Sequence, residues 1–427
     1  MTARALAEWH PLRRVVVRPP GMEAFFGLLE PYTSLYERVF SLAKARREHE
    51  ELVETLRSGF GVHVQLLDQL ILQAAGRHPD VARDLVDRVI ATVGFRGVGA
   101  RRARREFRDT VRYLDGDQLI QTLILAPELK FERGRGARSV SSYTTLRVPL
   151  TNLFFLRDQQ AVTDRGIVLG RLAKPQRRRE TEITGFAWRA AGEPPIAEVH
   201  HGTLEGGDFL PAGEFALVGT GDRTSARGVA EFLEHGVGVP EVGVVHQPRH
   251  ELLDQPDPMV NMHLDTYLNF PGDGIAVGQP EMLRSAKVDV YLREGGTYRR
   301  SHETRLLPYL QQEHKFRVIP ITTLEQLCYA TNFLTVRDRT LVIPDVARNA
   351  QRVLAHLGLA AQRQPSRYYR LYLRAAREFG QLRAEGGFFP HKPEARELGL
   401  NTVQVGLENL TGAFGGAHCL TATVERA

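Results

Sequence analysis

Polar residues able to do chemistry recur at similar places along this chain, each beside a short apolar run. Near the C-terminus a thiol and an imidazole are adjacent, at His418-Cys419. The other members of the set are Asn152, Asp158, Glu205, Asp208, His263 and Asp265. If the apolar runs surround a common axis, these groups meet at its centre. That centre would hold a thiol nucleophile, an imidazole and several carboxylates.

Carboxylates beside a thiol suit an electrophile that is a cation. A guanidinium presents N–H donors in a planar fork, which two carboxylates can accept bidentately. The bound cation would also favour thiolate over thiol, lowering an ordinary cysteine pKa of about 8.5. An imidazole can then protonate the departing amine and later deprotonate the attacking water.

The elements that must position these groups form a weak repeat. The pattern predicts paired strands at 152–156 and 166–169, 207–210 and 215–218, 264–268 and 275–277, and 332–336 and 340–343. Helices are predicted at 225–234, 301–312 and 346–357, with further strands at 242–245 and 316–321. A fifth copy is indicated near Val15, and an apolar C-terminal strand would carry His418 and Cys419. Hairpins are common, so chance similarity is the alternative to one repeat-built domain arranged around an axis.

The stretch from about residue 70 to 145 has a different character. Its apolar residues recur at helical spacing, it lacks clear strands, and we interpret it as an inserted helical subdomain. It includes an arginine-rich run between residues 96 and 109, which is typical of a solvated helix face. No aromatic-interleaved platform accompanies that run, so nucleic-acid binding is not favoured.

Composition bounds the class of protein. The 427 residues include 56 Lys+Arg and 50 Asp+Glu, with 42% hydrophobic residues and two cysteines. These values exclude collagen-like, disordered and disulfide-scaffold classes. No apolar run reaches the roughly 18 residues of a membrane helix, so we expect a cytoplasmic protein with two free thiols.

Four motifs together resemble one known family. They are Asn152-Leu-Phe-Phe-Leu-Arg-Asp158, Glu205-Gly-Gly-Asp208, Met262-His-Leu-Asp-Thr266 and Gly415-Gly-Ala-His-Cys419. In this order they resemble arginine deiminase, a member of the guanidine-modifying superfamily with a five-bladed α/β-propeller fold. The resemblance also covers residues 12–21, the helical insertion and residues 177–181, and so spans nearly the whole chain.

The resemblance implies a fold and a domain division. It implies an α/β propeller of strand-strand-helix-strand repeats, with residues 1–69 and 146–427 as the catalytic domain and 70–145 as the insertion. The implied reaction is hydrolysis of L-arginine to L-citrulline and ammonia, with no metal or organic cofactor. The expected partner is a small guanidino substrate, with no nucleic acid and no membrane, and we expect a homo-oligomer.

The resemblance also implies roles for individual residues. Cys419 is similar to the nucleophile that forms a covalent amidino-thioether, His263 to the general acid–base, and Glu205 to the carboxylate that orients it. Asp158 and Asp265 resemble the pair that grips the guanidinium. The substrate-contact positions match Asn152, Arg177 and Arg223 for the carboxylate, Phe155 for a pocket wall, and Asp208 for the end of its motif.

Other interpretations stay open. An amidinotransferase uses the same nucleophile, imidazole and carboxylates, another guanidino compound could be the substrate, and a non-catalytic binding protein could share the fold. The Glu-Gly-Gly-Asp motif, Arg223-Thr224-Ser225 and the insertion favour the hydrolase. Cys328 is predicted to be a core residue. His263 and Asp265 would alternate on a strand as a metal pair, but no third ligand at a sensible spacing accompanies them.

Three stretches depart from the family pattern. Phe414 stands five residues before the cysteine, where the family commonly has an arginine in a loop that helps to close the pocket. Residues 28–32, near the family's contact with the substrate ammonium, match poorly. Residues 362–397 are longer than expected and predict a helix, either for packing or as a lid with specificity contacts of its own.

Overall fold

The computed structural model describes residues 3–133 and 140–427, so residues 134–139 of the predicted insertion lie outside the described residues. The strands are β1 (Leu12–Val17), β2 (His63–Leu66), β3 (Gly94–Gly97), β4 (Pro127–Arg133), β5 (Val140–Leu146), β6 (Gln160–Val162), β7 (Ile167–Leu169), β8 (Ala197–Glu198), β9 (Phe209–Ala212), β10 (Phe215–Thr220), β11 (Glu241–His246), β12 (Leu268–Gly272), β13 (Ile275–Gly278), β14 (Lys287–Glu294), β15 (Thr297–Arg305), β16 (Arg317–Pro320), β17 (Leu334–Arg337), β18 (Thr340–Pro344), β19 (Asn401–Val405) and β20 (Ala422–Arg426).

The helices lie between these strands and on their outer sides. They are α1 (Met22–Leu29), α2 (Leu42–Glu54), α3 (Leu67–Arg77), α4 (Pro79–Thr92), α5 (Ala100–Thr110), α6 (Gly116–Leu125), α7 (Glu180–Ala190), α8 (Ala226–His235), α9 (Pro258–Asn261), α10 (Pro280–Ser285), α11 (Leu306–Pro308), α12 (Thr323–Leu327), α13 (Val346–Arg363), α14 (Pro365–Glu385) and α15 (Pro393–Glu397). None of these helices, over the described ranges, combines the length and apolarity that crossing a bilayer requires.

Five sheets contain the same three-stranded unit. In each, the middle strand pairs antiparallel with the strand before it along the chain and parallel with the strand after it, with the C-terminal β20 taking the place before β1. The sheet β3-β4-β5 has the reverse order, parallel first and antiparallel second. The units are β6-β7-β8, β9-β10-β11, β12-β13-β16, β17-β18-β19 and β20-β1-β2. In the last unit β20 pairs with β1, so the two ends of the chain complete it. The predicted repeat is therefore present as a mixed α/β architecture, including its fifth copy near Val15.

The first strand of each unit begins later than the sequence pattern predicts. Residues 152–156 form turns, and β6 starts only at Gln160. Leu264–Thr266 is a short 3-10 turn before β12, and Gly206–Asp208 is a similar turn before β9. The prediction that His418 and Cys419 lie on a strand is also wrong, because residues 417–420 form a turn before β20. Buried turns are as apolar as buried strands, so hydrophobicity alone does not separate them.

Two further predictions are corrected. Residues 301–312 were expected to be helical, and residues from Leu306 onward are, but β15 continues to Arg305 and pairs antiparallel with β14. Gly295 and Gly296, both with positive φ, form the tight turn of that hairpin, a signal that favours strands on both sides. The insertion is helical over α3 to α6, but it also contains the sheet β3-β4-β5, which the helical interpretation missed.

The insertion shares its hydrophobic core with the rest of the chain. Leu70 and Leu123 belong to the same buried cluster as Leu153, Leu156 and Trp188. The turn that carries the first candidate site residues therefore rests directly on the helices of the insertion. Removal of the insertion would expose the inner side of that turn.

Gly206 allows the turn before β9 to lie close to the segment that leads into β6. A substitution at this glycine therefore tests the packing of the two segments. A Cβ atom at this position would overlap the carbonyl oxygens of Arg157 and Gln160. We expect Gly206→Ala to lower the free energy of unfolding by more than about 2 kcal/mol, because backbone rather than a flexible side chain must move. Chemical denaturation measures this value.

A matched substitution is available in α3. Gly76 is exposed within the helix and a Cβ there would meet nothing within 4 Å. Gly76→Ala should therefore raise stability by up to about 1 kcal/mol, through helix propensity alone. Equal effects of the two substitutions would contradict the close approach at Gly206.

Candidate active site

His263 lies between two carboxylates and is completely buried. Its Nε2 is 2.8 Å from Glu205 Oε2, and its Nδ1 is 3.8 Å from Asp158 Oδ1. Burial alone would lower the pKa of this imidazole, but the charge of Asp158 and the hydrogen bond to Glu205 raise it to about 9. His263 is therefore an imidazolium near neutral pH, with a proton available for transfer.

Two short turns hold His263 and Glu205 together. Each residue immediately precedes a 3-10 turn, and the Leu264 amide donates to Asp208 Oδ1 over 3.0 Å to join the turns. A Cβ at Gly207 would come within 2.8 Å of His263 Nδ1, so only glycine permits this approach. Burial raises the pKa of Asp208 to about 6. Asp208 thus stabilises the arrangement of the turns rather than facing Cys419.

Two arginines contact the carboxylates around His263. Arg177 donates from Nη1 to Asp158 Oδ2 over 2.6 Å and from Nη2 to Glu180 Oε2 over 2.8 Å. Its Nε also donates to Glu180, at 3.0 Å, so all three nitrogens of this guanidinium are directed at carboxylates. Arg223 is held more loosely, with Nη1 3.4 Å from Glu205 Oε2 and Nη2 3.0 Å from the sulfur of Met262.

Cys419 lies on the other side of the site, buried and hydrogen-bonded. Asn332 donates from Nδ2 to its Sγ over 3.1 Å, and the nearest carboxylate oxygen, Asp265 Oδ2, is 3.7 Å from Sγ. Burial raises the pKa of Cys419 well above its usual range, and the charges of Asp265 and Asp158 add to that effect. The group is therefore a neutral thiol until a positive charge arrives beside it.

Behind Asp265, a chain of buried ionic groups extends away from the thiol. His418 Nδ1 lies 2.7 Å from Asp265 Oδ2, and its Nε2 lies 3.5 Å from Glu8 Oε1. Glu8 in turn contacts Arg426, whose Nη2 is 2.9 Å away, and this cation helps to hold the pKa of Glu8 far below its ordinary value despite burial. Asp265 is thus fixed through one of its two oxygens.

The remaining oxygens of the two aspartates identify what the site can bind. Over the described ranges, Asp158 Oδ1 and Asp265 Oδ1 are buried without a hydrogen-bond partner, and so is His263 Nδ1. Buried acceptors normally have donors, and each exception calls for an explanation. A planar cation with several N–H groups would satisfy both carboxylates, as the sequence analysis expected for a guanidinium.

Asn152 and Phe155 lie at the edge of this group of residues. Asn152 donates to the Ser34 carbonyl over 2.7 Å, so its amide is already partnered inside the protein. A Cβ at Gly415 would collide with the Phe155 ring and lie 2.9 Å from Cys419 Cβ. Phe155 therefore forms a wall against the loop that carries the thiol.

A cavity of about 250 Å³ lies beside the site, next to Arg223 and Phe414. Phe414 has φ of 71°, in the left-handed region, at the end of the 3-10 turn Leu410–Ala413. The other walls come from Tyr32, Tyr36, Asp257 and the α13–α14 hairpin. Arg223 contacts both Glu205 and this cavity, so it connects the cavity with the residues around His263.

Sequence reasoning placed His418 in the central cluster, but it missed Asn332 and gave no role to Glu180 or Glu8. Asn332 could have been found, because it stands just before the first strand of its unit, as Glu205 and His263 do in theirs. The ion pairs to Glu8 join residues hundreds of positions apart, and no local pattern predicts them. Cys328 is fully buried in a hydrophobic cluster, which confirms its prediction as a core thiol.

Asp158, Glu205 and His263 present atoms of metal-ligand type within 4.8 Å of one another. The predicted partner of His263, Asp265, is not in this cluster and pairs with His418 instead. Arg177 and Arg223 already contact the two carboxylates, and an imidazolium has no free lone pair for a metal. The charges of this cluster fit a metal poorly.

Solved structures share the fold. DDAH from Pseudomonas aeruginosa, in a mutant form complexed with citrulline, has a TM-score of 0.50 and 17% identity, covering 96% of this chain and 98% of that chain. A dimethylarginine dimethylaminohydrolase adduct with S-methyl-L-thiocitrulline has a TM-score of 0.51 and 16% identity over the same shares. The product-bound N-terminal domain of ArgZ, a cyanobacterial arginine dihydrolase, has a TM-score of 0.50 and 14% identity, covering 97% of both chains. This chain thus shares the mixed α/β fold of these structures.

Sequence comparisons define the family more closely. A family model described as arginine deiminase matches residues 33–426. The arginine deiminase of Halobacterium salinarum is 26% identical over 358 residues, covering 69% of this chain and 73% of the relative. That of Limosilactobacillus reuteri is 24% identical over 323 residues, covering 70% and 75%. This chain belongs to the arginine deiminase family.

The contact from Asn332 to the thiol leads to a prediction about Cys419. We expect Asn332→Asp to raise the pKa of Cys419 further, because a donor to sulfur is replaced by a buried negative charge. Thiolate absorbance near 240 nm, followed against pH and corrected with a Cys419→Ser sample, measures the change. The exposed Asn401→Asp serves as the control, and an unchanged titration in Asn332→Asp would show that the amide does not influence the thiol.

Proposed function

We propose that this protein hydrolyses L-arginine to L-citrulline and ammonia, through a covalent intermediate on Cys419. One observation carries the proposal. Two buried carboxylates, Asp158 and Asp265, each keep one oxygen without a donor among the described residues, beside a neutral thiol and an imidazolium. Family membership and the arginine deiminase names of the relatives support the same reaction.

Binding of the guanidinium activates the nucleophile. Asp158 and Asp265 accept its N–H bonds, and their negative charge no longer opposes ionisation of the thiol. The added positive charge lowers the pKa of Cys419, and the thiol proton leaves, with Asp265 Oδ2 as the nearest carboxylate acceptor at 3.7 Å. The thiolate thus forms only when substrate is present.

The reaction then proceeds in two steps, formation of a covalent intermediate and its hydrolysis. The sulfur bonds to the guanidinium carbon, and the bond to one terminal nitrogen breaks as His263 gives that nitrogen its proton, releasing ammonia. This leaves an amidino-thioether on Cys419. Water then attacks the same carbon while neutral His263 takes one of its protons, and the carbon–sulfur bond breaks with its electron pair on sulfur to release citrulline. The thiolate takes back its proton from Asp265, and the remaining hydroxyl proton leaves to solvent, where it converts ammonia to ammonium. Glu205 orients the imidazole through the 2.8 Å contact to Nε2.

The substrate carboxylate requires a cation near the cavity, and Arg223 is the better placed of the two candidates. Its Nη2 contacts only a thioether sulfur, a weak acceptor, so a carboxylate can replace that contact. Arg177 is fully engaged with Asp158 and Glu180 and holds Asp158 in place. Asn152 and Phe155 would complete the wall of this part of the pocket.

We also propose that the five equivalent units are blades around one axis. Support comes from the position of the site residues, because each unit contributes from the turn just before its first strand. The contributors are Asp158, Glu205, His263 with Asp265, Asn332 and Cys419. A homo-oligomer and a cytoplasmic location stay predictions.

A product assay tests the reaction. Wild-type protein with arginine should give citrulline and ammonia in equal amounts, and Cys419→Ser should lower the rate by at least about 10⁴-fold, because the oxygen nucleophile is not ionised by the bound cation. Mass spectrometry with and without glycine separates the classes. An amidino group transferred to glycine would establish the amidinotransferase, and arginine binding without turnover would favour a binding protein.

The pH dependence tests the role of His263. The imidazolium is needed to protonate the leaving nitrogen, so the rate should be maintained below its pKa and fall as pH rises through about 9. We expect up to a tenfold loss per pH unit above that value in single-turnover experiments. A rate that continues to rise past pH 10 would contradict His263 as the acid.

A further inference from the structure

The α13–α14 hairpin contacts the segment that precedes His263. Near the start of α14, Arg367 Nη2 and the Tyr368 hydroxyl both donate to the same oxygen of Asp257, each over 2.7 Å. Asp257 is 2% exposed, and its Oδ2 accepts these two hydrogen bonds from the hairpin. The rest of α14 packs on α12 and α13 through residues such as Leu371 and Ala375.

Asp257 is also the N-cap of α9. Its Oδ1 accepts from the Met259 amide over 3.0 Å, and its own amide donates to Asn261 Oδ1 over 2.9 Å. α9 has only four residues, too few for a helix to be stable by itself. Its conformation therefore depends on the side chains that fix its ends.

The chain leaves α9 directly into the active site. Asn261 is the last residue of α9, Met262 contacts Arg223 through its sulfur, and His263 follows. A displacement of α9 would move the His263 backbone relative to Glu205 and Asp158, which lie on other units. His263 Nδ1 and Asp158 Oδ1 are 3.8 Å apart, so a shift of about 1 Å would substantially change the electrostatic interaction between the two groups.

We propose that Arg367 and Tyr368 are positioning residues for the reaction: through Asp257 they fix α9, and α9 fixes His263 between Glu205 and Asp158. The hairpin is therefore part of the catalytic apparatus and not only a packing element. This inference rests on the proposed arginine hydrolysis, in which His263 transfers the proton. Because the same two side chains also line the cavity, the alternative is direct contact with the substrate.

Steady-state kinetics with arginine distinguish the two roles. In the double variant Arg367→Ala/Tyr368→Phe, loss of positioning should lower kcat by about tenfold or more with less than a threefold change in KM. Arg367→Lys keeps a cation beside Asp257, so its kcat should be close to the wild-type value. The matched control is Tyr369→Phe/Arg370→Ala, two exposed neighbours on the same helix, which should behave as wild type.

A double-mutant cycle tests whether the effect passes through Asp257. Asp257→Asn should lower kcat by itself, and adding the double variant should then cost little more, because the contact is already weakened. A rise in KM with unchanged kcat, independent effects in the cycle, or a double variant equal to its control would each overturn the proposal.

Folding and activity are separated by two checks. Thermal unfolding is measured for every variant, and Tyr368→Phe alone, which removes one hydroxyl, replaces the double variant if that variant unfolds. An unchanged kcat in Tyr368→Phe would then overturn the proposal. Wild-type protein that forms no citrulline would instead contradict the proposed function, before any variant is compared.

Discussion

The structure depends on burying negative charge where a cation is to bind. A buried carboxylate without compensation is costly, and a protein normally neutralises it or pairs it completely. In this protein Asp158 and Asp265 each have a hydrogen-bond partner at one carboxylate oxygen and none among the described residues at the other. Arg177 holds one oxygen of Asp158, and His418 holds one oxygen of Asp265. The other oxygens stay available, so the folded protein carries an acceptor geometry that only a cation with several donors completes.

Burial and the negative charges of the nearby carboxylates together set the protonation of Cys419 and His263. Both raise the pKa of Cys419, and the carboxylates raise that of His263 despite burial, so the thiol and the imidazolium both keep their protons while the site is empty of cation. For His263, a pKa of about 9 against 6.5 corresponds to roughly 3 kcal/mol of stabilisation of the charged form. Because this pKa is raised in the folded state, that contribution to stability is present below about pH 6.5 and is lost as pH rises through about 9. The fold therefore supplies the proton donor, and in the proposed mechanism the substrate produces the reactive thiolate.

Sequence reasoning predicted the repeat and the residue types of the site, because glycines, acids, His263 and Cys419 form motifs that local chemistry explains. It placed Asp208, Asp265 and Cys419 on strands, whereas the structure places them in turns before strands. The reason is physical: the first residues of each unit are buried on all sides, and their apolarity does not depend on backbone conformation. Asn332 could have been predicted from the repeat, since it precedes the first strand of its unit as His263 does in another unit. The partners of Asp257 and Glu8 could not have been predicted, because ion pairs between distant segments leave no periodic signal.

Arg177 and Arg223 differ in how firmly they are held. In the proposed mechanism this difference links binding of the substrate carboxylate to the state of the residues around the guanidinium. Arg177 directs every nitrogen at a carboxylate, and burial among those charges leaves it no alternative partner. Arg223 lies between Glu205 and a cavity whose nearby loop carries Phe414, an apolar residue that offers no competing charge. In the proposed mechanism, a carboxylate entering the cavity would draw Arg223 away from Glu205, and Glu205 would then interact more strongly with His263. Binding at the amino-acid end would thus strengthen the ion pair that holds the proton donor, and a guanidino compound without a carboxylate would be a poorer substrate even if it fits between Asp158 and Asp265.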